Sequence, residues 1–161
     1  MIVYYLDASA WVKRYYQERG SASMRNMFAH HRLVAPASLG VIEVTATLAR
    51  KATGREIDPS MLDNKLRELD EDWTRFIQVH MTMDVVDMAR QVVQELALRG
   101  ADAIHLASVL LLRQHLEEDE SAHLTFVASD RELKDAAEAS HLTLIDPEDQ
   151  EASPSSLTEN V

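Results

Sequence analysis

Residues 2–16 read IVYYLDASAWVKRYY, and this stretch decides the fold. Ile2 to Leu6 is an apolar run of strand length, and Asp7 with Ser9 can cap a helix that we predict from Ala10 to Tyr16. A second such sequence begins at Leu124, where an apolar run leads through an acid into a helical stretch. Strands that are apolar throughout and lead into helices are typical of parallel sheets.

The rest of the chain alternates in the same way. Besides the strands at 2–6 and 124–128, we predict strands at 32–35, 77–81 and 142–145. Further helices are predicted at 21–30, 38–50, 59–76, 84–99 (stopped by Gly100), 102–115 and 131–140. This order predicts an α/β fold of three layers, α/β/α, with helices on both faces of a mostly parallel sheet. Met24 and Met27, at helical spacing, are expected in the core.

Length and composition predict a single domain. The chain has 161 residues, of which 46% are hydrophobic, so it can bury a substantial core. We expect a single domain over residues 1–147. Residues 148–161 lack hydrophobic periodicity and their charged residues are all acidic, which predicts a disordered acidic tail.

Several classes of function lack the residues they need. The absence of cysteine excludes a disulfide framework, a thiolate zinc site and a cysteine nucleophile. Neither a signal peptide nor an apolar run long enough to span a bilayer is visible, so we expect a cytoplasmic protein with no membrane partner. Dinucleotide-binding, P-loop and serine-hydrolase motifs are also missing from the sequence.

The charge is unevenly distributed. The net charge is −11, which by itself argues against a polyanionic partner. Residues 1–60, however, carry eight Lys and Arg against five Asp and Glu, a net of +3, while residues 61–161 carry eight against twenty-two, a net of −14. RNA could therefore lie along the first part, where the candidate contacts are Lys13, Arg14, Arg50 and Lys51. The alternative is that these residues form ordinary solvated helix faces.

Four acids stand out by position. Asp7 and Asp130 each follow a strand, so both are expected at the carboxyl edge of the sheet. Glu43 is the single charge in the apolar helical segment from residue 35 to 49, and Asp102 opens the helix that continues IHLASVLLL. Each has a structural alternative: helix capping for Asp7 and Asp130, a surface carboxylate for Glu43, and a charge at a helix N-terminus for Asp102.

Together these carboxylates predict an oxygen-ligand site for a hard cation. In a chain without cysteine or paired histidines, four carboxylates suit Mg²⁺ or Mn²⁺ better than zinc. His105 lies one turn after Asp102, and we interpret it as a packing or surface residue rather than a ligand. Metal-assisted hydrolysis is the chemistry that such a site indicates.

Four segments resemble the PIN domain, in particular the VapC-type toxin ribonucleases. They are YYLDASAWVKRYYQE (4–18), SLGVIEVTATLARK (38–51), RGADAIHLASVLLL (99–112) and TFVASDRELKDAAEASHLTLIDPE (125–148). The resemblance implies a five-stranded parallel sheet in the order 3-2-1-4-5 and a metal site formed by Asp7, Glu43, Asp102 and Asp130. It also implies cleavage of single-stranded RNA as the toxin of a type II toxin–antitoxin pair, and hence a cognate antitoxin partner.

The sequence departs from the PIN pattern near the last acid. Relatives often carry Thr or Ser two places before it, whereas this chain has Ala128 there and Ser129 next to Asp130. Ser9 and Ser129 are therefore the hydroxyls expected to support the metal ligands.

Two readings compete with a nuclease. A PIN-like module could bind RNA or protein without cleaving, but four converging carboxylates argue against it. A phospho-receiver domain would need an acid after the third strand and a lysine after the fifth, where this chain has MTMD and LIDPE. The apolar helices also allow a homodimer.

Overall fold

The computed structural model describes residues 1–30, 33–117 and 121–151. At its centre lies a parallel sheet in the order β2-β1-β3-β4. The strands are β1 (Ile2–Leu6), β2 (Leu33–Val34), β3 (His123–Val127) and β4 (Thr143–Ile145). In register, Val3 of β1 pairs with Leu33 on one side and with Leu124 on the other.

Helices cover both faces of this sheet, which confirms the three-layer α/β/α fold. Side chains alternate along β1, so Tyr5 joins one core with helices α5 to α7, and Tyr4 and Leu6 join another with helices α1 to α4. Met24 and Met27 are buried in the second core, as predicted. The helices are α1 (Ala8–Trp11), α2 (Ser21–Ala29), α3 (Ser38–Thr53), α4 (Leu62–Arg75), α5 (Met83–Leu96), α6 (Gly100–Leu116), α7 (Arg131–Ala139) and α8 (Pro147–Glu151), with 3₁₀ turns at Val12–Arg14 and Pro59–Met61.

The predicted third strand, residues 77–81, is only a bridge at the edge of the sheet, so the described residues form four strands instead of five. Its position beside β2 agrees with the expected order, since the amide of Ile77 donates to Val34 and that of Val79 donates to Pro36. The Ala37–Val79 pair is the one bridge that results. Pro36 is the reason, because a regular parallel ladder would need a donor at this position and proline has no N–H.

The junction between α5 and α6 also differs from the prediction. Gly100 does not stop α5; it is the first residue of α6. Helix α5 ends at Leu96, and Ala97 adopts a positive φ of 52° while its amide donates to Val93. Across the described ranges, no helix combines the length and apolarity needed to cross a membrane.

The ordered part extends beyond the predicted domain limit at residue 147. Residues 147–151 form α8, so the first residues of the predicted tail are helical. An ion pair joins this helix to the turn after α1, since Nζ of the buried Lys13 lies 2.7 Å from Glu148 Oε1. Residues 152–161 of the predicted tail, Arg32 of the second predicted strand and residues 118–120 of the acidic stretch lie outside the described residues.

Candidate active site

A cleft of about 370 Å³ opens at the carboxyl end of the sheet. All four predicted ligands line it: Asp7 after β1, Glu43 on α3, Asp102 on α6 and Asp130 before α7. The structure therefore brings together side chains that are up to 123 residues apart in the sequence. The remaining lining residues are Ala8, Ser9, Ile42, Ala46, Thr47, Arg50 and Arg99.

Ser9 ties the first acid to the last. Its hydroxyl donates to Asp7 Oδ2 at 2.5 Å and accepts the backbone N–H groups of Ser129 at 2.9 Å and of Asp130 at 3.1 Å. The Ser9 amide also donates to Asp7 Oδ2, at 3.0 Å. Asp7 thus caps α1, as the structural alternative expected, but its carboxylate also faces the cleft. The two roles are compatible because a carboxylate has two oxygens.

Glu43 reaches the cleft because α3 lies close against α1. At Gly40, one turn before Glu43, a Cβ atom would lie 3.3 Å from the ring of the buried Trp11 and 3.7 Å from Cε1 of His105. Only glycine lets the two helices approach this closely without displacement. The Glu43 carboxylate is half-buried and lies 2.5 Å from Nε2 of the His105 imidazole.

His105 belongs to the site, which the sequence interpretation did not foresee. The residue is buried, as a packing residue would be, with 1% of its surface exposed. Its Nε2 donates to Glu43 Oε2 at 2.5 Å and lies 3.5 Å from Asp7 Oδ1, and its Nδ1 hydrogen-bonds the Tyr5 hydroxyl at 3.1 Å. Burial lowers the pKa of His105, but the hydrogen bond that it donates to Glu43 and the carboxylates nearby outweigh this effect and raise the pKa.

The sequence feature that could have identified His105 as a site residue is its spacing from Asp102. Residues three apart on a helix share a face, so an inward-pointing Asp102 already placed His105 beside it.

Arg99 contacts the other two predicted ligands, Asp102 and Asp130, and the sequence analysis did not predict it as a site residue. Its Nε lies 2.8 Å from Asp102 Oδ2 and 3.7 Å from Glu132 Oε2, and a terminal nitrogen lies 3.5 Å from Asp130 Oδ2. Burial raises the pKa of Asp102, and the carboxylates of Asp130 and Asp7 act in the same direction against the opposing effect of Arg99. The spacing of three between Arg99 and Asp102 was the available sequence signal.

Ser129 supports the site through its backbone and not through its hydroxyl. The Ser129 N–H donates to Ser9, whereas its Oγ donates to Asp146 Oδ1 at 2.9 Å. Asp146 also accepts from Lys134 at 2.5 Å and from the Glu148 amide at 2.9 Å. The hydroxyl of Ser129 thus connects the end of β3 to the segment after β4.

Of the predicted RNA contacts, only Arg50 lines the cleft. Lys13 is buried, with 4% of its surface exposed, and its ammonium pairs with Glu18 and Glu148, so it cannot reach an RNA phosphate. Arg14 pairs with Asp72 and Lys51 pairs with Glu56. The structure therefore corrects the expectation for Lys13 and assigns Arg14 and Lys51 to ion pairs outside the cleft.

The donor chemistry of the cleft fits a divalent cation. Ligand atoms of Asp7, Glu43 and His105 lie within 4.8 Å of one another, so this group could hold a metal ion. Asp102 and Asp130 face the same cleft and add oxygen donors. Nε2 of His105 already donates to Glu43, so the donors in the cleft that fit a divalent ion are the carboxylate oxygens.

Comparisons with known proteins agree with this geometry. The chain is 34% identical over 110 residues to ribonuclease VapC49 and to ribonuclease VapC45, from two strains of Mycobacterium tuberculosis. The match covers 68% of this chain and 76% of each relative. No family model matches the chain.

Solved structures show the same fold. VapBC2 from Rickettsia felis, bound to a DNA fragment from its promoter, superposes with a TM-score of 0.60 at 13% identity, covering 89% of this chain and 98% of that one. PAE2754 from Pyrobaculum aerophilum superposes with a TM-score of 0.59 at 21% identity, covering 92% and 86%. Given its identity to two VapC ribonucleases over most of their length, the chain belongs to the VapC family of PIN-domain ribonucleases.

Proposed function

We propose that this VapC-family ribonuclease cleaves single-stranded RNA internally, with a divalent metal ion held by Asp7, Glu43, Asp102 and Asp130. The observation that carries the proposal is that a single cleft collects all four carboxylates at the end of the sheet. Without a bound cation, the negative charges of these carboxylates repel one another. The VapC relatives support RNA as the substrate.

The chain's own residues hold the ligands in fixed directions. Ser9 orients Asp7 and His105 orients Glu43 through hydrogen bonds of 2.5 Å each. The bound Mg²⁺ or Mn²⁺ would lower the pKa of a water molecule and neutralise charge on the scissile phosphate. Arg50, exposed on the rim of the cleft, would bind a neighbouring phosphate of the RNA.

The proposal includes the biological setting of the activity. The protein would act as the toxin of a type II toxin–antitoxin pair in the cytoplasm, where its RNA substrate is found, and an antitoxin would bind and neutralise it. Similar structures are VapBC complexes, which supports an antitoxin partner. A homodimer is also proposed, supported by the exposed apolar side chains of Met83 and Val93 on α5.

A binding module without catalysis is the competing function. The contacts of Arg99 with Asp102 and of His105 with Glu43 favour it, because they give these carboxylates partners without any metal. The two functions differ in what Asp102 does. A ligand carboxylate is needed for cleavage, whereas a carboxylate that only stabilises the N-terminus of α6 can be replaced by Asn at a cost of about 1 kcal/mol or less.

The test is cleavage of a labelled single-stranded RNA by the purified protein. We expect activity to stop in EDTA, to return with Mg²⁺ or Mn²⁺ and not to return with Ca²⁺. Asp102→Asn should abolish cleavage and reduce the rise in melting temperature that Mg²⁺ causes in the parent. The matched control is Asp70→Asn, an exposed acid on α4, which should behave as the parent does.

Expression in cells provides a second readout. Production of the parent without an antitoxin should arrest growth, and Asp7→Asn should relieve the arrest while the protein stays folded. RNA binding without cleavage under every metal condition would instead establish the binding module. Full cleavage in EDTA would overturn the metal mechanism.

A further inference from the structure

The guanidinium of Arg99 lies among three carboxylates, two of which line the cleft. It meets Asp102 at 2.8 Å, Asp130 at 3.5 Å and Glu132 at 3.7 Å. Two of these partners, Asp102 and Asp130, are proposed metal ligands. Arg99 therefore occupies carboxylate oxygens that a divalent ion would need.

The two halves of the cleft hold their carboxylates in different ways. Asp7 and Glu43 meet His105, a ring that is buried and fixed on its other side by Tyr5. Asp102 and Asp130 meet Arg99, whose side chain is 67% exposed. The imidazole of His105 is held in place by the core, whereas the guanidinium of Arg99 is held almost entirely by the carboxylates themselves.

Little opposes movement of the Arg99 side chain. It precedes α6 and makes no side-chain cap hydrogen bond to that helix. The next residue is Gly100, where a Cβ atom would meet nothing within 4 Å, so the surrounding space is open. The guanidinium side of these ion pairs is exposed to solvent, which weakens them, and a divalent cation with several oxygen ligands can replace such a pair.

Arg50 provides a contrast on the same cleft. Its guanidinium donates to Thr47 Oγ1 at 3.0 Å, and it forms no ion pair with any acid in the described part of the chain. Arg50 is therefore available for phosphate whether or not a metal is bound. Arg99 becomes available only if its carboxylates release it.

We propose that Arg99 is the built-in counter-cation of the Asp102–Asp130 half of the site, and that a divalent ion displaces it so that its guanidinium becomes a phosphate ligand. The inference rests on the proposed metal-dependent function. The freed guanidinium lies at the cleft wall, and its planar fork suits two oxygens of one phosphate. Arg99 thus couples metal loading to RNA binding: the cleft gains a phosphate ligand when the ion enters.

The first experiment measures Mn²⁺ affinity by calorimetry for the parent, Arg99→Gln, Arg99→Lys and Arg50→Gln. Removing a competing cation should tighten Mn²⁺ binding in Arg99→Gln by roughly two- to fivefold, the factor expected for an exposed ion pair. Arg99→Lys keeps the positive charge and should bind Mn²⁺ nearly as the parent does. Arg50→Gln, the matched control, should leave the Mn²⁺ affinity unchanged.

The second experiment measures binding of a labelled single-stranded RNA by fluorescence anisotropy, in EDTA and in Ca²⁺. The parent should bind RNA more tightly in Ca²⁺ than in EDTA, and Arg99→Gln should lose most of that gain. Arg50→Gln should bind RNA more weakly in both conditions and keep the gain. Comparing the two conditions within each variant removes the general effect of a lost positive charge.

The outcomes separate the two proposals. If the parent binds no Mn²⁺, the proposed metal-dependent function fails and this inference fails with it. If the parent binds Mn²⁺ and Arg99→Gln binds it equally or less tightly, only the counter-cation is overturned. Equal gains from Ca²⁺ in the parent and in Arg99→Gln would overturn the phosphate role of Arg99. A melting temperature measured for every variant verifies that each is folded.

Discussion

Nε2 of His105 lies 2.5 Å from Oε2 of Glu43, although the two residues are 62 positions apart and lie on different helices. The imidazole is fixed on its other side by the Tyr5 hydroxyl, which comes from the central strand. A line of contacts thus runs from the core of the sheet to a carboxylate of the cleft. The direction of Glu43 is therefore set by the packing of β1 and α6, and not by α3 alone.

We expect His105→Ala to lower both stability and cleavage. The substitution removes the hydrogen-bond partner of the half-buried Glu43 carboxylate and one hydrogen bond of the Tyr5 hydroxyl, which keeps its bond with Ser108. We expect a loss of about 1–3 kcal/mol. Glu43 would also lose its fixed direction, so cleavage should fall further than the folded fraction does. Chemical denaturation and an RNA cleavage assay measure the two effects.

Tyr5→Phe and His115→Ala are the controls for that experiment. Tyr5→Phe removes one hydrogen bond of the imidazole and should cost about 1 kcal/mol while retaining most of the cleavage activity. His115 is exposed on the same helix and bonds its own helix backbone, so His115→Ala should change neither property. Full cleavage activity in a folded His105→Ala protein would contradict the orienting role.

The salt dependence of RNA binding should distinguish Arg50 from Lys13. Arg50→Ala removes a cation from the cleft and should reduce the slope of log affinity against log salt by about 0.7, the value for one lost single-strand phosphate contact. Lys13→Met should leave the slope unchanged, because Lys13 is buried and paired with Glu148.

Lys13→Met should act on stability instead. The substitution removes the partner of two half-buried carboxylates, Glu18 and Glu148, which predicts a loss of about 1 kcal/mol. Thermal denaturation measures this loss. A lower salt slope for Lys13→Met would show that RNA reaches the buried lysine after all.

Asp146 predicts a specific dependence of stability on pH. Burial raises the pKa of Asp146, but hydrogen bonds from Lys134, the Glu148 amide and Ser129 outweigh it and hold the pKa below its ordinary value. Because the pKa of Asp146 is lower in the folded than in the unfolded state, the ionised carboxylate stabilises the folded protein. This contribution is complete at pH values above the unfolded pKa of about 3.9. The contribution is lost as the pH falls through the lower, folded pKa.

Lys134→Met tests this dependence. The variant should be less stable than the parent at pH 7, because the buried Asp146 carboxylate loses its cation. The difference should shrink as the pH falls from the unfolded value of about 3.9 through the lower folded pKa, because protonation of Asp146 removes the ion pair in the parent as well. Lys65→Met, which removes a more exposed pair with Glu68, is the control and should show little change at either pH. A difference independent of pH would exclude the ion pair as the cause.

The close packing at Gly40 predicts that a small change in the spacing between α1 and α3 alters the position of Glu43 in the site. In Gly40→Val the added atoms would overlap the ring of Trp11, already 3.3 Å from a Cβ at this position, so α3 must shift and carry Glu43 with it. Overpacking of this kind costs about 1–3 kcal/mol. Cleavage per folded molecule should fall as well. The control is Gly100→Ala, which should not reduce stability because the added Cβ meets open space.

The sequence predicted the layers of the fold and the four cleft acids because both depend on local patterns. Apolar strands followed by acids were visible around Asp7 and Asp130, and a lone acid in an apolar helix marked Glu43. The sequence analysis did not predict that the third strand would fail to form. The cause is Pro36, which lacks the N–H that a parallel ladder with residues 77–79 would need, and this pairing is known only from the structure.

The cations of the site were harder to predict. His105 and Arg99 belong to the site because elements far apart in the chain bring carboxylates to them. Lys13 looked exposed in the sequence, and only the packing of α8 reveals that it is buried. Residue type and spacing predict which face of a helix a side chain lies on, but not which distant segment covers it.

Short strands that are followed by prolines affect how this protein can associate with other chains. Strand β2 has two residues and β4 has three, and a proline follows each strand within two positions, Pro36 after β2 and Pro147 after β4. Edge strands with free N–H and C=O groups invite a neighbouring chain to add a strand, and prolines and short edges discourage it. Among the described residues, β4 thus has this protection at one margin of the sheet, and at the other margin residues 77–79 already pair with β2 and the residues that follow it. Association with another protein is therefore expected to use side-chain surfaces of the helices.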